Sequence, residues 1–350
     1  MNTRKIHLDI LRILANFLVL FNHTLGFALY QHAFTPLKII GYTSIAAFTR
    51  INVPLFFMIS GALLLSKEVE LSKGLGKKIL RFATLIVVAN TFMYLLKFPA
   101  SFSLKALVQG IFTNTCEGSY WYLYAHLAFL LLLPYLRRMV RDFTRKDFIY
   151  FLSVHFVIFT CIPCLDYVLR LTNGGGFTLY SEIQLPLMTV KAFFYPVLGY
   201  YLDTHLDVAA LKKAAFAKAA IALTAGLVLT IGFTYHQGTA FGFTEDFLEL
   251  FDYGFAMAVF VMVKYICTGF PLAARLPGVT KAITAIAPLT LGIYLLDPAL
   301  VYTVKPSAEA FTQAILPTLL SSIAWCILSM VLGGLITWVL KKLPLFKQIL

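Results

Sequence analysis

The chain has 350 residues, of which 60% are hydrophobic and 13% charged, with a mean hydropathy of +0.82 and a formal net charge of +13. Such a composition excludes a soluble globular domain. The positive balance does not mark a nucleic-acid binder, because most of the 29 Lys and Arg fall in loops on one side of successive apolar runs.

Those runs predict an all-α polytopic membrane bundle of about ten transmembrane helices, near 8–30, 43–65, 79–97, 120–137, 147–168, 187–203, 214–236, 250–268, 282–302 and 314–340. With the N-terminus in the cytosol, Arg4, Lys5, Lys67, Lys73, Lys77, Lys78, Arg81, Arg137, Arg138, Arg141, Arg145 and Lys146 all lie inside. Lys212, Lys213, Lys218, Arg275, Lys281, Lys341, Lys342 and Lys347 join them, while external loops hold Lys38, Lys97, Lys105, Arg170 and Lys305. This positive-inside bias places both termini in the cytosol. Residues 1–350 read as one transmembrane domain with no separate soluble domain. Arg4 and Lys5 ahead of an apolar run imitate a signal peptide, but Asp9 and Arg12 sit within that run and no small-residue cleavage site follows. The segment is retained.

The first span carries a polar stripe. Eleven residues separate Arg12 from His23, a rise of roughly 16 Å and about 20° past three full turns, so both side chains share a face. Asp9 and Asn16 fall close to it. Ionisable groups inside a bilayer cost roughly 2.5–3.5 kcal/mol on insertion scales, so the stripe must face protein or water. Snorkelling beside Asp9 accounts for Arg12 alone but not for His23, well past the midplane.

The second span opens with Arg50, Asn52 and Pro54 in RINVPLFFMISGALLL. Pro54 and the small pair Ser60–Gly61 permit a kink and close helix approach, and by itself Ser60–Gly61 reads as helix packing. KKILRF at the start of the third span supplies Lys78 and Arg81, which topology alone would also place there. The fourth span begins at Glu117-Gly118-Ser119-Tyr120-Trp121, an aromatic anchor followed by Pro134 and Arg137; Glu117 and His126 are its ionisable residues and border an acceptor site on one reading. Further along, His155 reads as a hydrogen-bonded core residue and Cys161-x-x-Cys164 as apolar packing rather than a zinc or redox site. Residues 173–176 (NGGG) form a flexible external loop, Lys191 enters the sixth span from outside, and Glu245, Asp246, Glu249 and Asp252 make an acidic external group. The ninth span holds LTLGIYLLDP, whose Asp297 needs a basic partner or a proton at that depth. Arg50 is the partner the sequence suggests first.

Arg12 and His23 within LDILRILANFLVLFNH, then VPLFFMISGALLL, WYLYAHLAFLLLLPYLRRM and LTLGIYLLDP, in this order, resemble the membrane-bound acyltransferase family 3. The chain departs from the family where Asp297 stands at a position often held by His. The resemblance implies an O-acyltransferase that moves an acyl group, commonly acetyl, from cytosolic acyl-coenzyme A to a hydroxyl of a sugar or other acceptor, lipid-linked forms included. Members without an attached esterase-like domain, such as those acting on enterobacterial common antigen and related polysaccharides, are similar in size and layout. It implies His23 as general base, Arg12 as a catalytic or donor-binding cation, and Lys78 and Arg81 as holders of the coenzyme A phosphates. Asp9, Arg50, Ser60, Glu117, Trp121 and Asp297 are the acceptor-side or supporting residues. No permanently bound cofactor, no metal and no nucleic acid are expected, acetyl-CoA being a co-substrate, and the expected location is a bacterial cytoplasmic membrane. The oligomeric state stays open. A transporter or flippase of a polar metabolite or glycan precursor, using the same buried stripe, is the rival reading, and a regulatory membrane subunit fits the charged stripe poorly.

Overall fold

The structure is a computed structural model that describes residues 4–24, 35–67, 73–113, 115–173, 191–241, 247–313 and 318–350. Residues 25–30, 187–190 and 314–317 of the expected spans, residues 174–176 of the glycine loop, and Glu245 and Asp246 lie outside the described residues. The described chain contains helices and no strand. In order these are α1 (Ile6–His23), α2 (Pro36–Thr49), α3 (Asn52–Leu64), α4 (Lys73–Lys97), α5 (Leu104–Thr113), α6 (Trp121–Arg141), α7 (Arg145–Phe156) and α8 (Ile162–Asn173). There follow α9 (Lys191–Thr204), α10 (Lys213–Phe241), α11 (Asp252–Gly269), α12 (Leu272–Arg275), α13 (Pro277–Ile286), α14 (Thr290–Thr303), α15 (Lys305–Gln313), α16 (Thr318–Leu340) and α17 (Pro344–Ile349).

A helix stands at each of the ten expected positions, and eight stretches are long and apolar enough to cross a membrane by length and composition. The two outside that set are α9, with 14 residues, and α11, which carries Asp252 and Lys264. The second expected span is broken. It divides at Arg50–Ile51 into α2 and α3, where the Asn52 carboxamide oxygen accepts the Val53 N–H at 2.5 Å and Pro54, lacking an N–H, fits in the first turn.

That break shapes the molecule. At about 1.5 Å per residue, the 13 residues of α3 rise only about 20 Å, less than a hydrocarbon core of about 30 Å. Short α3 packs along short α9, and the approach is backbone on backbone: a Cβ at Gly61 would overlap the Pro196 carbonyl, and one at Gly199 the Met58 carbonyl. Lipid gives helices no hydrophobic reason to associate, so small residues that admit close contact hold them together. Gly61→Ala is therefore expected to cost at least about 2–3 kcal/mol, read as a lower Tm in detergent, because rigid carbonyls rather than flexible side chains would have to yield.

α1 runs through the middle, touching α3, α14, α16, α11 and α13. Its N-terminal end is tied down by charge: His7 Nε2 lies 2.8 Å and Lys5 Nζ 2.5 Å from the buried Asp203 carboxylate at the end of α9. Lys264 Nζ then donates to the carbonyls of Leu202, Asp203 and Leu206, neutralising the C-terminal end of α9. The core is aromatic: His155 stacks on Phe194 with centroids 3.5 Å apart, and His126 stacks on Phe82 at 4.3 Å.

Candidate active site

At its C-terminal end α1 presents His23 to a cavity of about 850 Å³. The cavity sits over the first turns of α3 and α9, where these short helices begin, and the stretch before α6 and the middle of α14 complete its wall.

The imidazole is anchored from behind. His23 Nδ1 is 2.7 Å from Asp297 Oδ2, and Ser329 Oγ donates to Asp297 Oδ1 at 2.8 Å. Asp297 is fully buried, and its two oxygens are used by these two partners. With the carboxylate ionised, Nδ1 carries the ring proton and Nε2 keeps a lone pair. His23 retains 24% side-chain exposure and lines the cavity. The partner of Asp297 is thus His23 on α1, not Arg50. Arg50, at the junction of α2 and α3, lies on the same cavity wall with a guanidinium nitrogen 3.7 Å from Glu249 Oε1 in the turn before α11.

Charged and aromatic side chains line the outer part. Lys191 Nζ pairs with Glu249 Oε2 at 2.8 Å, and Lys97 Nζ with Glu117 Oε2 at 2.6 Å. Trp121, Tyr122, Tyr294 and Tyr302 supply ring faces, and Tyr294 donates through its hydroxyl to the Ser119 carbonyl. The Glu117 carboxylate also accepts from the Ser119 N–H and hydroxyl at 3.3 and 3.1 Å. Partial burial alone would raise its pKa, but the Lys97 and Ser119 hydrogen bonds outweigh it and hold the group below the ordinary carboxylate range. A depressed folded-state pKa contributes stability above the unfolded value that is lost as pH falls through the folded one. In Lys97→Met the Glu117 pKa rises toward its unfolded value, so Tm is expected to lie below the wild type near neutral pH and to fall less on acidification, the two curves of Tm against pH converging on the acid side.

The remaining predicted residues divide by location. Glu117, Trp121 and Arg50 line the cavity with His23. Ser60 lies deeper on α3, donating to the Phe56 carbonyl at 2.9 Å, and His126 is buried with Nδ1 3.3 Å from the Tyr122 hydroxyl. Arg12 is 3.6 Å from Asp9, which Arg4 also contacts. On α4, Lys78 is half-buried, while Arg81 donates to the carbonyls of Ile349 and Leu350 at 3.0 and 2.9 Å. Sequence reasoning did not single out Lys97, Tyr122, Tyr294 or Ser329 for this site. It noted Lys191 and Glu249 without placing them together. The available signal was depth: Lys97 and Lys191 stand near the outer ends of apolar runs and Arg50 lies within one, where cations are costly unless paired. Among the described residues no group of three or more His, Cys, Asp or Glu is arranged to hold a metal ion.

A family model described as an acyltransferase domain matches residues 6–340. No curated protein and no solved structure matches the chain.

Proposed function

Because the chain belongs to the acyltransferase 3 family of membrane acyltransferases, we propose that it transfers an acyl group, acetyl in the first instance, from cytosolic acyl-coenzyme A to a hydroxyl of an extracytoplasmic glycan. The observation that carries this reading is the His23–Asp297–Ser329 chain of hydrogen bonds opening onto the large cavity. A sugar hydroxyl is a weak nucleophile, and a positioned base contributes about 10²–10⁴ in rate. The acceptor O–H gives its proton to His23 Nε2 as its oxygen bonds to the thioester carbonyl carbon. Asp297 stabilises the imidazolium that forms. The tetrahedral intermediate collapses with cleavage of the C–S bond, the electron pair leaves on sulfur, and His23 returns the proton to the coenzyme A thiolate. Arg50 and the positive end of α3, both on the cavity wall, favour the oxyanion between these two events.

The cavity suits a sugar. Carbohydrate C–H faces stack on rings such as Trp121 and Tyr302, and the paired charges of Lys97, Glu117, Lys191 and Glu249 offer donors and acceptors to hydroxyls. Arg12, with 27% side-chain exposure, and Lys78 bring positive charge to the opposite end, which the basic loops mark as cytosolic, for the donor's phosphates. In this reading the protein works in a bacterial cytoplasmic membrane with donor and acceptor in different compartments.

The test is a proteoliposome assay with acetyl-labelled acetyl-CoA outside and candidate oligosaccharides inside. Label is expected to appear in an ester on the internal sugar, with one free thiol released per ester. Passage of unmodified sugar with no thiol release would overturn catalysis in favour of transport. Mass spectrometry of surface glycans from a deletion strain reads the missing ester and so identifies the acceptor.

A further inference from the structure

Between Arg12 and His23 on α1 stands Asn16, fully buried, with neither its carboxamide oxygen nor its nitrogen hydrogen-bonded. Leaving buried polar atoms unpaired costs about 1–3 kcal/mol for each group, and native structures rarely keep them without a purpose. An apolar side chain would fill the site at no such cost.

The position of Asn16 suggests what completes it. It lies four residues above Arg12 and seven below His23, about 6 Å and about 10 Å along the axis, with all three within an arc of about 40°. Tyr122 links the two ends: its side chain lines the His23 cavity, and its phenol is close enough to the Arg12 guanidinium to interact electrostatically. Arg12, Asn16 and His23 thus lie on one stripe of α1, with a cation at the cytosolic end, a primary amide midway and the base at the top.

Coenzyme A matches that order. Its phosphates, the amide groups of its pantetheine arm and its acylated sulfur follow one another along a single flexible chain. A carboxamide facing an arm amide can donate and accept at once, satisfying both orphaned atoms. We infer that the Asn16 carboxamide binds an amide of the pantetheine arm, fixing how far the thioester extends toward His23. The inference rests on acyl-coenzyme A being the donor. Asn16 is on this account a donor-binding residue that positions the thioester rather than a catalytic one.

The test uses the full-length protein in detergent and coenzyme A as the probe. Asn16→Leu keeps the approximate volume and removes both polar atoms. Coenzyme A is expected to bind at least about tenfold more weakly by calorimetry, the loss of two hydrogen bonds at the weak end of their ordinary range. The donor KM rises by a similar factor, the acceptor KM is unchanged, and the Tm without ligand is equal to or above that of the wild type. A merely structural Asn16 would give the reverse, a lower Tm with unchanged coenzyme A affinity. If Asn16→Leu does not fold, Asn16→Ala is measured in the same way. Coenzyme A affinity within twofold of wild type in either folded variant overturns the inference while leaving the donor intact. Failure of the wild type to bind coenzyme A overturns the donor assignment and this inference together.

Discussion

His23→Gln is expected to lower kcat for acyl transfer by about 10³–10⁴ while leaving the protein folded. Alanine is the poorer choice at this position. It would strand the Asp297 carboxylate, buried with no exposure, with Ser329 as its remaining partner among those described, and removing one member of a buried pair costs about 3–5 kcal/mol. Glutamine keeps an N–H that can reach Asp297 yet supplies no basic nitrogen, so the measured loss belongs to proton transfer. A positioned base contributes up to about 10⁴. Donor and acceptor KM should change little, because the charged and aromatic wall of the cavity is untouched. Initial rates of thiol release in detergent, with Tm as the fold control, decide it: a kcat within tenfold of wild type would remove His23 from the chemistry.

The second large effect comes from Asp297. Asp297→Asn is nearly isosteric, and because a hydroxyl both donates and accepts, Ser329 can turn to receive the new N–H while the amide oxygen still accepts from His23 Nδ1. The single variant therefore keeps the imidazole orientation and removes only the charge that stabilises the imidazolium, with an expected kcat loss of about 10²–10³. In Asp297→Asn with Ser329→Ala nothing holds the amide in that sense. It can flip, donate to Nδ1 and force the proton onto Nε2, and the loss should approach 10⁴, about what the wrong tautomer costs elsewhere. Added to His23→Gln, neither change should lower the rate further, since residues acting as one unit are not additive. A triple variant losing substantially more than His23→Gln alone would show that Asp297 acts through something other than His23.

The carboxylate illustrates how far the sequence reaches. An aspartate in LTLGIYLLDP needs a basic partner or a proton, and that much follows from the cost of burying charge. Arg50 is the partner that the sequence offers first. What the sequence could not supply was the rotation of each helix about its own axis. Arg50, at the junction of α2 and α3, pairs with Glu249, while α1, packed against α14 and α16, turns His23 onto Asp297 across 274 positions of chain. Pro54 marked 43–65 as a place that permits a kink, but hydropathy alone did not show that the chain divides into two helices there, because it does not register a turn whose backbone groups protein satisfies.

Apolar runs of membrane-crossing length, the one-sided distribution of Lys and Arg, and the eleven-residue interval from Arg12 to His23 are local properties of the chain, and they alone determined an all-helical membrane protein with a polar stripe on its first helix. The tertiary structure decided which residues meet: the contact of Gly61 and Gly199 that packs α3 along α9, the cavity above these short helices, and the base, carboxylate and hydroxyl gathered from α1, α14 and α16. The physical reason is one of range. Helix formation and insertion depend on neighbours within a few turns and on the surrounding lipid, whereas the site is made by side-chain packing between helices far apart in the chain, where a small rotation exchanges one partner for another.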